Sequence, residues 1–301
     1  MSTEPSSSTE PSSSTESSSS TEPSGTTAPA VAPPQQEPTR TLRTVPLDLA
    51  ERRTLMEQQV RAMYRSTAAV LAVPLILIAL LLGIFVSPLL GVGFVLVSIA
   101  VVVSLVAWRR SGAVTAALNA LGARRLRTGE NPRYANLIEG LAMSSGVAEP
   151  RLYVVDDPKA NAATVALGDD ACVVVTSGLL EAADRMRLGA VLAQQVAHLA
   201  GGDAQAATAA HAFRTSIGWR YELDRLLPAR REELCDLNAL EFTRYPPGLI
   251  AALEMIAEIG PAGSECDPAV THFWMAAPNE FQVNNAAQVA IARRLALLNE
   301  L

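Results

Sequence analysis

Between Thr67 and Val106 the chain carries no charged residue. As a helix rising about 1.5 Å per residue, this stretch is roughly twice what one crossing of a ~30 Å hydrocarbon core requires. Ser87-Pro88 divides it near its middle. The pattern therefore predicts two apolar helices, about 67–86 and 89–108, folded back as a transmembrane hairpin over 67–108, with Trp108 suited to the interface. Ahead of the hairpin, Leu55, Gln59, Val60, Met63 and Tyr64 interleave with Arg52, Arg53, Arg61 and Arg65. That rhythm predicts an amphipathic juxtamembrane helix within 41–66.

Beyond the hairpin the period changes repeatedly. Helical spacing covers 113–127 and 132–145, the latter with Leu137, Ile138, Leu141 and Ala142 on one side. Two short β-branched runs, 151–155 and 171–176, are bounded by Asp, Pro and Gly and predict adjacent strands of one small sheet. From Gly178 to Gly202 the spacing of Leu188, Val191, Leu192, Gln195, Val196 and Leu199 predicts one helix, with Asp184 near its start and Gly201-Gly202 as its stop. Further helical segments follow at 204–227, 230–244, 247–259 and 286–298. Residues 109–301 are thus predicted to form a mostly helical α+β domain with a small β-sheet.

Composition alters this picture at the N-terminus. Residues 1–40 repeat Ser-Ser-Ser-Thr-Glu and run into a Pro-rich spacer. With so few apolar groups to offset ordering entropy, a disordered tail is predicted there. It has no positive charge before Arg40 and no apolar core, so it does not read as a signal peptide. The net charge is −6 and Lys159 is the only lysine. No basic patch interleaves with aromatics, which sets nucleic-acid binding aside. Arginines flank both outer ends of the hairpin, so the positive-inside rule predicts a cell-membrane protein with two helices and both termini cytoplasmic. Cys172, Cys235 and Cys266 form no C-x-x-C pair, which fits a reducing compartment.

The candidate chemistry lies at the centre of the 178–202 helix, Ala193-Gln194-Gln195-Val196-Ala197-His198. In the motif H-E-x-x-H, two histidines four residues apart face one Zn²⁺ and the glutamate is the general base. Here only His198 keeps its chemical type. The flanks carry more information: Asn131-Pro132, the strand 152–156, Asn161-Ala162, Thr176 before Gly178-Leu179-Leu180, and Ala190-Val191-Leu192-Ala193. Together with the hairpin they resemble the membrane-bound gluzincin zinc metallopeptidases of the HtpX and CAAX prenyl protease type.

The resemblance implies a zincin-like domain. It places Gln194 where the family has its first zinc-binding His and Gln195 where it has the catalytic Glu. His198 stands at the second His. The third ligand position is the Glu of a later E-x-x-x-D helix, matched by Glu232 with Asp236 behind it as support for the ligand. The closing helix around Arg293-Arg294-Leu295 also resembles the family's, whereas Asn284-Asn285 stand where His-Pro is usual. An amide is a weak zinc ligand and cannot take a proton from bound water. No intact catalytic residue is therefore expected, and zinc should be absent or weakly bound. Cys235 is the one added strong donor nearby and is expected as a small buried side chain. His211 and His272 are expected at the surface or in loops, and Glu233 on another helix face.

The leading expectation is a membrane-anchored, catalytically impaired pseudopeptidase that binds or regulates a polypeptide or a membrane protein, in the bacterial inner membrane as the resemblance implies. One alternative is an active metalloendopeptidase of membrane or misfolded proteins with a rearranged site using His198, Glu232 and Cys235. Another is a structural anchor that presents the tail. The resemblance further implies peptide binding along a sheet edge near 161–167, with Asn161 and Ala162 at its start, because strand addition needs only free backbone groups.

Overall fold

Asp48 opens the first helix, its carboxylate accepting from the Ala50 backbone N–H at 3.0 Å. From there α1 runs unbroken from Leu49 to Phe85, through Pro74. The computed structural model describes residues 48–217, 227, 230–263, 270–276 and 291–301, all within one compact unit spanning Thr44–Leu301. The tail 1–40, Cys266 and Asn284-Asn285 lie outside the described residues.

Two expected segments are therefore one helix: the amphipathic stretch and the first apolar span are continuous. Arg52, Met56, Val60, Met63 and Thr67 recur at three- and four-residue spacing and form its buried stripe. Helix α2, Pro88–Ala120, returns beside α1 after Ser87. Its close approach needs glycine, since a Cβ on Gly91 would stand 2.7 Å from the Gly83 Cα. Both helices are long and apolar enough to cross a membrane. Over their outer halves large apolar side chains, among them Leu77, Leu80, Ile84, Leu89 and Leu96, are exposed in bands.

The C-terminal end of α2 corrects a second expectation. Residues 113–120 continue α2, with Ala113, Val114, Ala117 and Leu118 buried, and Arg124–Arg125 form strand β1 where a helix to residue 127 was expected. Gly122, at φ 69°, makes the reversal between them.

Helix α3 (Pro132–Ser145) leads to β2 (Arg151–Val155), β3 (Ala162–Leu167) and β4 (Asp170–Thr176). The sheet order is β1-β2-β4-β3. The two expected strands are indeed neighbours, β2 pairing parallel to β4 with Arg151 opposite Cys172. The resemblance implied a sheet edge near 161–167, but the residue pattern alone did not mark β3 as a strand; it pairs antiparallel to β4, from Ala162 opposite Val175 to Leu167 opposite Asp170. It is buried on both faces along its length, so it shows no polar alternation for the period-2 signal to detect.

One sheet face, carrying Ala163, Val165, Cys172 and Val174, packs on Met56, Val60 and Met63 of α1 and on Ala113, Val114 and Ala117 of α2. The other, carrying Ala162, Ala166, Val173 and Val175, packs on the helix that bears the signature. The hairpin's inner ends are thus part of the domain core. At roughly 25 cal/mol per Å² of apolar surface removed from water, these contacts hold hairpin and domain as one body.

The stretch expected as one helix from 178 to 202 is two. α4 (Ser177–Ala182) ends at Ala183, and α5 (Arg185–Ala200) starts anew because Asp184 caps it, accepting from the Arg187 N–H at 2.8 Å. α6 (Asp203–Ile217), α7 (Arg231–Thr243), α8 (Pro246–Ile259) and α9 (Ile291–Asn299) complete the described helices. The predicted mostly helical α+β fold with a small sheet, preceded by two apolar helices, is borne out.

Candidate functional site

From Ala190 to Ala200 every residue of α5 is buried, between β3, α3, α7 and α8. Gln194, Gln195 and His198 therefore face the interior, at 0%, 1% and 6% exposure. α7 supplies Glu232, Cys235 and Asp236 opposite them, all buried.

On one side of His198 lies a directed polar relay. The Thr164 hydroxyl on β3 donates to Gln195 Oε1 at 2.7 Å, and Gln195 Nε2 donates to Gln194 Oε1 at 2.5 Å. Gln194 Nε2 then donates to Glu232 Oε2 at 2.9 Å and stands 3.0 Å from His198 Nε2. His198 Nε2 and Glu232 Oε2 are 3.2 Å apart. Both amides have their oxygen and nitrogen engaged, as burial demands.

These three atoms, Gln194 Nε2, His198 Nε2 and Glu232 Oε2, form a triangle with edges close to the ~3.3 Å ligand spacing of tetrahedral zinc at 2.0–2.2 Å. These edges are at the same time the lengths of ordinary hydrogen bonds. The triangle's chemistry does not fit zinc, because an N–H donor occupies the vertex where a lone pair is needed. Burial alone would lower the His198 pKa, but the facing Cys235, Glu232 and Asp203 raise it well above 6.5. Glu232 shows the complement: burial would raise its carboxyl, yet His198 and Arg231 hold it down at about 2.

The carboxylates are also individually neutralised by guanidinium groups. Arg231 Nε lies 3.0 Å from Glu232 Oε1, and its Nη2 donates to the His272 carbonyl. Arg294 grips Asp236 through two bonds of 2.6 Å, and burial still raises the Asp236 pKa against that opposing charge. Glu233, expected on a different face, is buried and ion-paired to Arg230 and Arg293.

The Nδ1 side of His198 holds a second group. Cys235 Sγ is 3.2 Å from Nδ1 and Asp203 Oδ2 is 3.6 Å from it. His198, Asp203 and Cys235 present donor atoms within 4.8 Å of one another, spacing that suits a metal ion. Because Cys235 and Glu232 lie at opposite ring nitrogens, one ion cannot take both together with His198. Cys235 is the small buried side chain expected.

Five participants were not foreseen as site residues: Thr164, Asp203, Arg231, Arg294 and Arg52. Arg52 was read as a charge flanking the membrane, but it is 1% exposed and ion-paired to Asp203. A lone acidic residue directly after the Gly201-Gly202 stop was the available signal for Asp203; nothing local marked Thr164. His211 and His272 correct a further expectation. Both are buried, at 2% and 1%, with ring centroids 6.2 Å apart. His272 lines a residual cavity of about 10 Å³ with Thr164, His198, Ala207, Arg231 and Phe273, room for at most one water.

Asn161 and Ala162 lie at the start of the outer strand, where the chain itself occupies the edge. The Met275 N–H donates to the Ala162 carbonyl at 2.7 Å, and Ala163 bridges antiparallel to Trp274. The Asn161 amide donates to the Ala262 and Ala276 carbonyls at 3.0 and 2.9 Å and accepts from the Ala276 N–H at 3.1 Å.

A buried helix with Gln194 and His198 one turn apart, facing the Glu232 carboxylate on a later helix beside an outer strand, has the arrangement of a metallopeptidase-like domain with an altered signature. Comparison with known proteins agrees. Residues 129–225 match the model of Peptidase family M48. The chain is 31% identical over 177 residues to a protein named Protease HtpX homolog from Dictyoglomus thermophilum, covering 46% of this chain and 58% of that relative. It is 25% identical over 203 residues to a Protease HtpX homolog from Streptococcus uberis, covering 52% and 68%. The match thus spans less than two thirds of the Dictyoglomus relative's length. Part of this chain is thus similar to Peptidase family M48 and to proteins named Protease HtpX homolog.

Proposed function

We propose that this chain is a membrane-anchored M48-type pseudopeptidase, which keeps the peptidase fold and acts by binding or regulating a polypeptide. The observation that carries the reading is the closed relay from Thr164 through Gln195 and Gln194 to Glu232. It satisfies the buried polar groups of the signature among themselves. Gln195 has no proton-accepting carboxylate, and loss of general-base assistance alone costs about 10²–10⁴ in rate. Zinc in the natural protein is accordingly absent or weakly held.

Binding is proposed at the outer edge of β3, where Asn161 and Ala162 already hold Trp274–Ala276 as an added strand is held. An incoming polypeptide would exchange with that internal segment. The arginines at both outer ends of the hairpin favour cytoplasmic termini, at a bacterial inner membrane by analogy with the HtpX relatives. The test uses the full chain in detergent with an unfolded protein substrate. We expect no chelator-sensitive cleavage, together with a change in deuterium exchange at the amides of 162–167 when polypeptide is added. Chelator-sensitive cleavage that His198→Ala abolishes would overturn the reading.

A further inference from the structure

The site contains a cation that resemblance to zinc peptidases does not explain. Arg52 belongs to α1, ahead of the charge-free stretch that begins at Thr67, yet its guanidinium lies inside the domain. Nη2 pairs with Asp203 Oδ2 and stands 3.3 Å from Cys235 Sγ. It thus contacts two of the three residues whose donor atoms cluster within 4.8 Å of one another.

The seat for this side chain is shaped to receive it. The turn between α5 and α6 is Gly201-Gly202, and a Cβ on Gly201 would meet Arg52 Nε at 3.3 Å. At Gly202, where φ is 77°, a Cβ would stand 3.1 Å from the Met56 Cβ. Asp203 follows at once as the first residue of α6, fully buried and aimed at the guanidinium. Two further polar atoms are buried there without a hydrogen-bond partner among the described residues, Asp203 Oδ1 and Arg52 Nε. A carboxylate, a sulfur and an imidazole nitrogen so arranged make a donor set for a cation, and the cation present is a side chain.

We propose that Asp203, Cys235 and His198 form an internal cation site whose resident cation is the Arg52 guanidinium, supplied by the membrane-hairpin helix. Arg52 is a positioning residue: it ties α1 to α6 and α7 through charge. The misfit of zinc to this chain's signature has this counterpart, since the cluster's positive charge is covalently part of the anchor. Withdrawing α1 from the domain must break the pair. Removing the guanidinium must convert the cluster into a site for a thiophilic divalent cation. This inference stands apart from whether the β3 edge binds polypeptide.

The test is titration of the full chain in detergent with Cd²⁺ alone, followed by the ultraviolet thiolate-to-cadmium absorption, for wild type, Arg52→Met, Arg52→Lys and Arg52→Met/Cys235→Ser. Arg52→Met should gain one thiolate-linked Cd²⁺ per chain. Wild type should bind at that cluster on the order of a hundredfold more weakly, because a like charge stands within contact distance in a poorly screened interior. Adding Cys235→Ser should abolish the gain, which separates this site from the other thiols. Arg52→Met should also melt lower, and free methylguanidinium should raise its melting temperature. Arg52→Lys, which keeps charge without the planar fork, should bind Cd²⁺ less than Arg52→Met and serves if the latter does not fold. Equal Cd²⁺ affinity in wild type and the Arg52 variants, or a gain that survives Cys235→Ser, would overturn the proposal. Cd²⁺ held through Glu232 alike in wild type and Arg52→Met, with no thiolate absorption gained, would overturn this proposal, whereas chelator-sensitive cleavage would overturn only the pseudopeptidase reading.

Discussion

Asp236→Asn should be among the most destabilising single changes in the domain, although it replaces one oxygen by an amide nitrogen. Asp236 and Arg294 are 0% exposed, joined by two hydrogen bonds of 2.6 Å, and Arg294 Nη1 also donates to the Met275 carbonyl at 2.7 Å. The pair therefore fastens α9 to α7 and to the segment along β3. Neutralising the carboxylate leaves a guanidinium buried without a counter-charge, a loss of about 3–5 kcal/mol. At about 2–4 °C per kcal/mol for a unit of this size, the melting temperature should fall by about 6–20 °C. The assay is thermal unfolding of the full chain in detergent, followed by circular dichroism. The double variant Asp236→Leu/Arg294→Met should recover most of the loss, less about 1–3 kcal/mol for the Met275 carbonyl left unbonded. If Asp236→Asn lies within about 1 kcal/mol of wild type, or the two single changes add without coupling, the pair is not the fastening described.

Other outcomes follow from the same geometry. Thr164→Val removes the donor to Gln195 Oε1 and should cost about 1–3 kcal/mol, read from denaturant midpoints. Gly202→Ala forces a side chain into a left-handed conformation and against Met56, and should cost at least about 1–2 kcal/mol. Stability should depend on pH in two limbs. The His198 contribution is fully present below about pH 6.5 and is lost as pH rises through its raised folded pKa. The Glu232 contribution is present above about pH 4.5 and is lost as pH falls toward about 2. Melting temperature should thus be highest between these limits, and His198→Gln should flatten the alkaline limb; an unchanged limb would contradict the assignment.

The hairpin, the strands β2 and β4 and the signature helix were legible because each rests on a strong local pattern: a long uncharged run, β-branched clusters, or three- and four-residue apolar spacing. The α4–α5 break was written in Asp184, which was placed near the helix start but was not taken as a boundary. Burial on both faces hid β3. Arg52 was misread because an arginine before an apolar helix ordinarily belongs to the membrane surface, and only the tertiary fold reveals that its partner Asp203 lies far along the chain. The same limit applies to His211 and His272, whose burial depends on the fold around α6. Glu232 and Asp236 could be placed through the resemblance, whereas Arg231 and Arg294, which neutralise them, carried no motif.

The most direct test of the account is metal content, measured by elemental analysis of the detergent-purified chain beside a Gln194→His/Gln195→Glu variant. The triangle of Gln194, His198 and Glu232 atoms already has edges of 3.0, 2.9 and 3.2 Å, so a lone pair at position 194 should complete a zinc site. Zinc near one equivalent in the double variant and none in the natural chain is the predicted result. Stoichiometric zinc in the natural chain, lost on Glu232→Ala, would contradict it.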